Sequence, residues 1–240
     1  MTVLDSLREK LAQTSARSRP APGEGTPLPT GCAPLDRVLG GGLPRGRLVE
    51  VTGAWSSGKA TLALTAAARL TAMRRLAVYV DARGELYPPA AAALGVDLGR
   101  LLVVRPDCRQ ASGAARAGEI AARSGAFALV ILDLREDDVI DAAAAGRLRA
   151  AAAGGGAVVL ALASRPGALA QAPFKLETAA GVVTLRKGGA AAPGTRIAWQ
   201  TATIATVATV APVAPVATVD RAYAPAAMSD LGPLVLARRP

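Results

Sequence analysis

The run Gly53-Ala54-Trp55-Ser56-Ser57-Gly58-Lys59-Ala60-Thr61 has the G-x-x-x-x-G-K spacing of a phosphate-binding loop. In such a loop, successive backbone N–H groups point inward at phosphate oxygens and the helix N-terminus that follows adds favourable partial charge. Gly53 and Gly58 supply the turn, Ser56 and Ser57 lie inside it, and Lys59 is placed to reach the β- and γ-phosphates. The next residue ordinarily carries the hydroxyl that helps hold Mg²⁺, but here it is Ala60, which offers a methyl group. Thr61 does not replace it, because the next helical residue is rotated by about 100°. The spacing therefore predicts a cradle that retains ATP or ADP weakly, with magnesium bound weakly or not at all.

Asp133 closes the apolar run Ala128-Leu-Val-Ile-Leu, a position from which a carboxylate can hold a metal's water shell. A carboxylate at a strand end also caps turns, so the position admits a purely structural role. Strand Leu76–Asp81 ends in Asp81-Ala82-Arg83-Gly84-Glu85, where a water-orienting group belongs. The chain has no histidine and two cysteines, Cys32 and Cys108, with no C-x-x-C spacing. That composition excludes His-dependent triads and zinc sites.

Alternating strands and helices position these residues. Strands are predicted at Arg47–Thr52, Leu76–Asp81, Leu101–Val104, Ala128–Asp133 and Ala157–Leu162. Between them, helices are predicted at Gly58–Arg75, Ala90–Leu94, Ala111–Ser124 and Asp138–Ala153. Short continuous apolar strands separated by helical crossovers indicate an α/β fold, a mostly parallel sheet covered on both faces. After Pro173 the period changes, and Phe174–Thr178, Val182–Lys187 and Arg196 to about Val207 are expected to extend the sheet as an antiparallel edge.

The chain has 240 residues, 51% hydrophobic and only 3% aromatic, enough for one core built from Ala, Val and Leu. The expected organisation is an N-terminal helix over 1–18, a Pro/Gly linker over 19–29, a core over 30–207 and a low-complexity tail over 208–240. Val3, Leu4, Leu7 and Leu11 form the apolar stripe of the first helix. Asp5, Arg8, Glu9 and Lys10 interrupt any signal-peptide-like core, which argues against secretion and for a cytoplasmic protein. Ile197–Val219 is uncharged, but Gln200, the threonines, Pro212 and Pro215 make it a poor membrane span. The net charge of +10 favours a polyanionic partner, although its arginines are scattered and form no dense block.

Several motifs occur together in an order that resembles the opening of a RecA recombinase core. They are Thr30-Gly31-Cys32-Ala33-Pro34-Leu35-Asp36, Leu39-Gly40-Gly41-Gly42-Leu43-Pro44-Arg45-Gly46-Arg47-Leu48-Val49-Glu50, the Ser56-Ser57-Gly58-Lys59 loop, Tyr79-Val80-Asp81-Ala82, and Leu94-Gly95-Val96-Asp97-Leu98 before Leu101-Leu102-Val103-Val104-Arg105-Pro106. The resemblance covers about Leu28 to Leu162 and implies a RecA-like P-loop NTPase core. RecA-like ATPases place a catalytic glutamate directly after the Asp-Ala step; this chain has Arg83 there, a cation that cannot act as a base. Glu85, two positions on, is a poor substitute. The segments matching the two DNA-contacting loops are short: Leu134–Asp141 sets Arg135 against Glu136, Asp137, Asp138 and Asp141, and Ala163–Pro173 carries only Arg165.

An eroded ATPase site, reduced loops and an Ala/Pro/Val tail in place of the RecA C-terminal domain make the chain similar to the ImuA family, more than to the SulA-type inhibitors that lack the loop frame. That resemblance implies an adaptor in the SOS response and translesion mutagenesis, with RecA and an ImuB-like polymerase-family protein as partners. DNA contact is expected to be weak or indirect, and no membrane is implied. Val3, Leu4, Leu7 and Leu11 would anchor a RecA-type subunit contact or fold back on the chain's own core. Leu231, Leu234, Val235 and Leu236, before Arg238-Arg239, would dock on the polymerase-family partner or stay unpartnered. The rival readings are a weak DNA-stimulated ATPase or recombinase paralogue, and salt-sensitive DNA binding without hydrolysis.

Overall fold

The computed structural model describes residues 25–106, 111–169, 172–179 and 181–198. The expected N-terminal helix, the tail with its Leu231–Leu236 anchor, and Cys108 lie outside the described residues. The chain enters through helix α1 (Ala33–Leu39), which buries Leu35 and Leu39 and ends at Gly40 in a left-handed conformation. Strand β1 (Leu48–Thr52) leads into α2 (Lys59–Ala72), then β2 (Leu76–Asp81), α3 (Pro88–Ala93), a single 3₁₀ turn (Leu98–Arg100) and β3 (Leu101–Val104). There follow α4 (Ala111–Arg123), β4 (Phe127–Asp133), α5 (Ala142–Gly155) and β5 (Val158–Ala163). Three further strands, β6 (Phe174–Ala179), β7 (Val182–Lys187) and β8 (Arg196–Ala198), complete the described chain.

All eight strands form one sheet in the order β3-β2-β4-β5-β1-β6-β7-β8. Every residue of β1, β4 and β5 is buried, as continuous apolar strands covered on both faces require. Alternate side chains feed two cores. Val49, Val51, Tyr79, Leu129, Ile131, Leu160 and Leu162 face α1 and α2, whereas Val78, Val80, Val130, Leu132, Val159 and Ala161 face α4 and α5. The alanines Ala144, Ala145, Ala151 and Ala152 of α5 and Ala114, Ala115, Ala121 and Ala122 of α4 supply much of that second core, so it is built on close helix approach more than on bulk.

The expected antiparallel edge is present: β6 pairs parallel with β1 and so joins the main sheet, while the β6–β7 and β7–β8 pairs are antiparallel. The connection from β5 to β6 crosses β1, and its described residues 164–169, 172 and 173 form no helix, so periodicity carries no crossover signal there. Helix α5 begins later than the predicted Asp138 because Ile140 is held by a hydrogen bond from its N–H to Ala168 O at 2.7 Å, and Asp141 caps the helix by accepting from Ala144 N. Among the described residues, no helix is long and apolar enough to cross a membrane.

Candidate nucleotide site

The carboxyl ends of β1, β2 and β4 meet in a cleft of about 410 Å³, lined by Trp55, Ser56, Ser57, Gly58, Lys59, Ala60, Thr61, Arg83, Glu85, Asp133 and Leu162. It therefore brings together the phosphate loop, the Asp133 strand end and the Arg83–Glu85 turn. The loop closes tightly. Gly53 packs so close to Ser57 Oγ and to the backbone and hydroxyl of Thr178 that any β-carbon there would overlap them. Gly58 has φ 94° with open space around it, which leaves the loop end facing the cleft. Ser57 Oγ lies 2.8 Å from Thr178 Oγ1, which in turn donates to Thr52 O at 3.1 Å, so the loop is tied to the ends of β1 and β6.

Lys59 folds over this loop. Its Nζ donates to the carbonyl oxygens of Gly53 and Ala54 at 2.8 and 2.9 Å, so an incoming phosphate must draw the ammonium off its own backbone. Burial lowers the Lys59 pKa, and the nearby Arg83 lowers it further, while Asp133 pulls the other way. Ala60, the first residue after the lysine, turns its methyl group to the cleft rim and is exposed.

The turn after β2 is held by Asp81. This buried carboxylate accepts from Gly84 N, Glu85 N and Leu86 N at 2.8, 3.0 and 3.2 Å, and from Arg105 Nε at 3.0 Å. With its acceptor sites so occupied, Asp81 fixes the turn that carries Arg83 and Glu85. Arg83 stacks on Trp55, its guanidinium carbon 4.4 Å from the ring centroid, and donates from Nε to Glu85 Oε2 at 2.7 Å. Glu85, the alternative base, is thereby held by a cation.

Asp133 lies opposite Asp81 in the β2–β4 register. Its Oδ2 accepts from the buried Tyr79 hydroxyl at 2.7 Å. Burial pushes the Asp133 carboxyl up to about 6, aided by the charges of Asp81 and Glu85 and opposed by the Tyr79 hydrogen bond and by Arg83. Burial, with the adjacent Asp133 charge, also raises the Tyr79 pKa. A divalent ion fits this donor set poorly. The position after Lys59 has no oxygen, Oδ2 of the strand-end carboxylate Asp133 accepts from Tyr79, and the Arg83 guanidinium lines the same cleft. Among the described residues no cluster of three His, Cys, Asp or Glu side chains could hold a metal.

The segment after β4 (Leu134–Asp141) and the segment after β5 are fastened to each other and to the core. Arg165 pairs with Asp137, Ile140 bridges to Leu169, and Arg135 donates from Nε to Ala82 O at 2.9 Å. Underneath, Glu50 is fully buried in the middle of β1; its Oε1 accepts from Gly167 N and Leu169 N at 2.9 and 3.0 Å. Lys175 Nζ sits 3.1 Å from Glu50 Oε2, a contact of charges without hydrogen-bond alignment. Elsewhere, Arg116, Arg123 and Arg147 surround the buried Glu119 on α4, so part of the positive charge is internally paired.

Sequence reasoning singled out the loop, Asp133, Arg83 and Glu85, but not the partners that orient them: Tyr79, Thr178 and the Arg83–Trp55 stack. Glu50 was also missed. A charged residue centred in the apolar run Leu48-Val-Glu-Val-Thr52 was its signal, since such a residue is buried only with partners.

The sequence model of the RecA N-terminal domain matches residues 24–172 of the chain. The chain belongs to the RecA N-terminal domain family. Among curated RecA-family relatives, Protein RecA of Salinispora arenicola (strain CNS-205) is 47% identical over 107 residues, covering 44% of this chain and 30% of that protein. Protein RecA of Picosynechococcus sp. (strain ATCC 27264 / PCC 7002 / PR-6) is 42% identical over 106 residues, with the same 44% and 30% coverage. For Protein RecA of Mycobacterium leprae (strain TN) the figures are 46% over 107 residues, 44% of this chain and 15% of that protein. The matched stretch thus spans less than a third of these relatives' length. Among solved structures, the RadB recombinase superposes with a TM-score of 0.56 at 21% identity, covering 70% of this chain and 93% of that one, a likeness of fold.

Proposed function

We propose that this RecA-family chain is an accessory adaptor in DNA repair, acting in the SOS response and translesion mutagenesis by bridging or modulating RecA and an ImuB-like polymerase-family protein. The observation that carries this reading is the cleft itself: a phosphate cradle is kept, while Ala60 and the stacked Arg83 occupy the positions where hydrolysis needs oxygens. The fastened loops around Asp137 and Arg165 support weak or indirect DNA contact, because the acidic side chains there repel phosphate. The cradle then serves binding of ATP or ADP more than turnover. Partner contacts are assigned to Val3, Leu4, Leu7 and Leu11 and to Leu231, Leu234, Val235 and Leu236, each an apolar cluster beside basic residues.

The test is a pair of assays on the full chain. With magnesium, ATP and single-stranded DNA the protein is expected to show no turnover, and turnover abolished by Lys59→Ala would overturn the adaptor reading. Titrated into RecA filaments, the protein is expected to inhibit RecA's own ATP turnover, and an unchanged rate at excess would remove RecA as the partner. Deletion of residues 208–240 is expected to abolish capture of the ImuB-like partner, and undiminished capture would refute the tail assignment.

A further inference from the structure

We propose that the cleft is a metal-independent polyphosphate site, in which the Arg83 guanidinium supplies the charge that a divalent ion supplies in other phosphate loops, and Glu85 competes with phosphate for it. This rests on the nucleotide-binding part of the reading above. Three observations carry it. First, Lys59 and Arg83 line the same cleft and lie close enough for Arg83 to oppose the lysine's charge. Two cations held against a shared space create a site for an anion, and they disfavour a third cation there.

Second, the guanidinium is pre-oriented. Asp81 fixes the backbone of the turn, and the Trp55 ring covers one side of the guanidinium, leaving 13% of the Arg83 side chain exposed. A guanidinium has five N–H donors in one plane, and a carboxylate engages at most two of them, so donors remain for phosphate oxygens. Arginine also binds phosphate in the same fork geometry with which it binds carboxylate. Third, Glu85 is the movable member of the pair. Its side chain is 51% exposed, so it can swing into water when a polyphosphate takes its place on Arg83. The same exchange releases Lys59 from the Gly53 and Ala54 carbonyls.

Calorimetric titration of the full chain with ATP, in excess EDTA and in excess Mg²⁺, tests this directly. Chelation is expected to change the Kd by less than about 3-fold, because the charge is supplied by the protein. Arg83→Gln is expected to weaken metal-free binding by about 10-fold or more, the scale for removing one partner of a desolvated charge pair, and Arg83→Lys to weaken it less. Glu85→Gln is expected to tighten it by about 3-fold or more, because a competing anion is gone. Since Glu85 is half-exposed, that variant reports even if an Arg83 substitution impairs folding.

Affinity that falls more than about 10-fold on chelation would overturn the proposal while leaving nucleotide binding intact. So would an Arg83→Gln variant, folded by its thermal melt, that binds like the parent, or a Glu85→Gln variant that does not bind more tightly. No heat of binding in either buffer, with Lys59→Ala indistinguishable from the parent, would instead remove the nucleotide reading and the proposal together.

Discussion

The two turns that face each other across the cleft are built differently. The Gly53–Thr61 loop is a backbone device: its shape comes from Gly53 packed against Thr178, Gly58 at positive φ and the start of α2. The Asp81–Leu86 turn is a side-chain device, wound around one buried carboxylate that takes three N–H groups and Arg105. A backbone cradle persists when a single side chain such as that of residue 60 loses its oxygen, because N–H groups do the binding. A turn wound around one side chain is more fragile, since loss of the Asp81 carboxylate removes all four of its hydrogen bonds at once.

Four substitutions break or sharpen this contrast. Gly53→Ala should have the largest effect, a loss of about 3 kcal/mol in denaturant unfolding, because the new methyl overlaps Ser57 and the Thr178 backbone and neither can withdraw cheaply. A near-native midpoint would mean that the loop is not the rigid half. Asp81→Asn should cost about 2 kcal/mol, since the amide nitrogen cannot accept and faces donors it cannot satisfy. It should also disturb the Arg83–Trp55 stack and so change Trp55 emission; unchanged emission would unlink the turn from the stack.

Asp133→Asn should act in the opposite direction. The folded pKa of about 6 lies above the ordinary 3.8, so the ionised carboxylate disfavours the fold at pH above about 6. That penalty fades as pH falls from 6 towards 4, where the folded state takes up its proton first. Asparagine still accepts from Tyr79, so the variant should gain about 2 kcal/mol at pH 8 and nothing near pH 4. A gain that does not depend on pH would assign the effect to packing. Arg165→Ala, which removes an exposed ion pair to Asp137, should change stability by less than about 0.5 kcal/mol. A larger loss would show that this pair, and not Glu50, fastens the second loop.

The parts of the site legible in the chain were those with a short period or spacing. Gly53, Gly58 and Lys59 declare themselves within one turn, and the buried strands around Val49, Ile131 and Leu160 declare themselves by unbroken apolar runs. The direction of β6 was not legible, because Phe174–Ala179 alternates in burial whether it pairs parallel or antiparallel. The late start of α5 was hidden in the same way: Asp138 and Asp141 are both plausible caps, and only the contact of Ile140 with Ala168 and Leu169 selects the second.

By itself, the amino-acid sequence determined the G-x-x-x-x-G-K spacing, the α/β layering, and the residue types at positions 60 and 83, a methyl group and a guanidinium. Covalent identity and local spacing are enough for those. The tertiary structure alone decided that Arg83 lies on Trp55, that Tyr79 meets Asp133 across 54 residues, and that Glu50 clamps Gly167 and Leu169 from more than 100 residues away. These contacts exist only once β2, β4, β5 and β1 lie side by side in that order. Strand order is set by how the helices and both cores pack together, a property of the assembled chain that no local window contains.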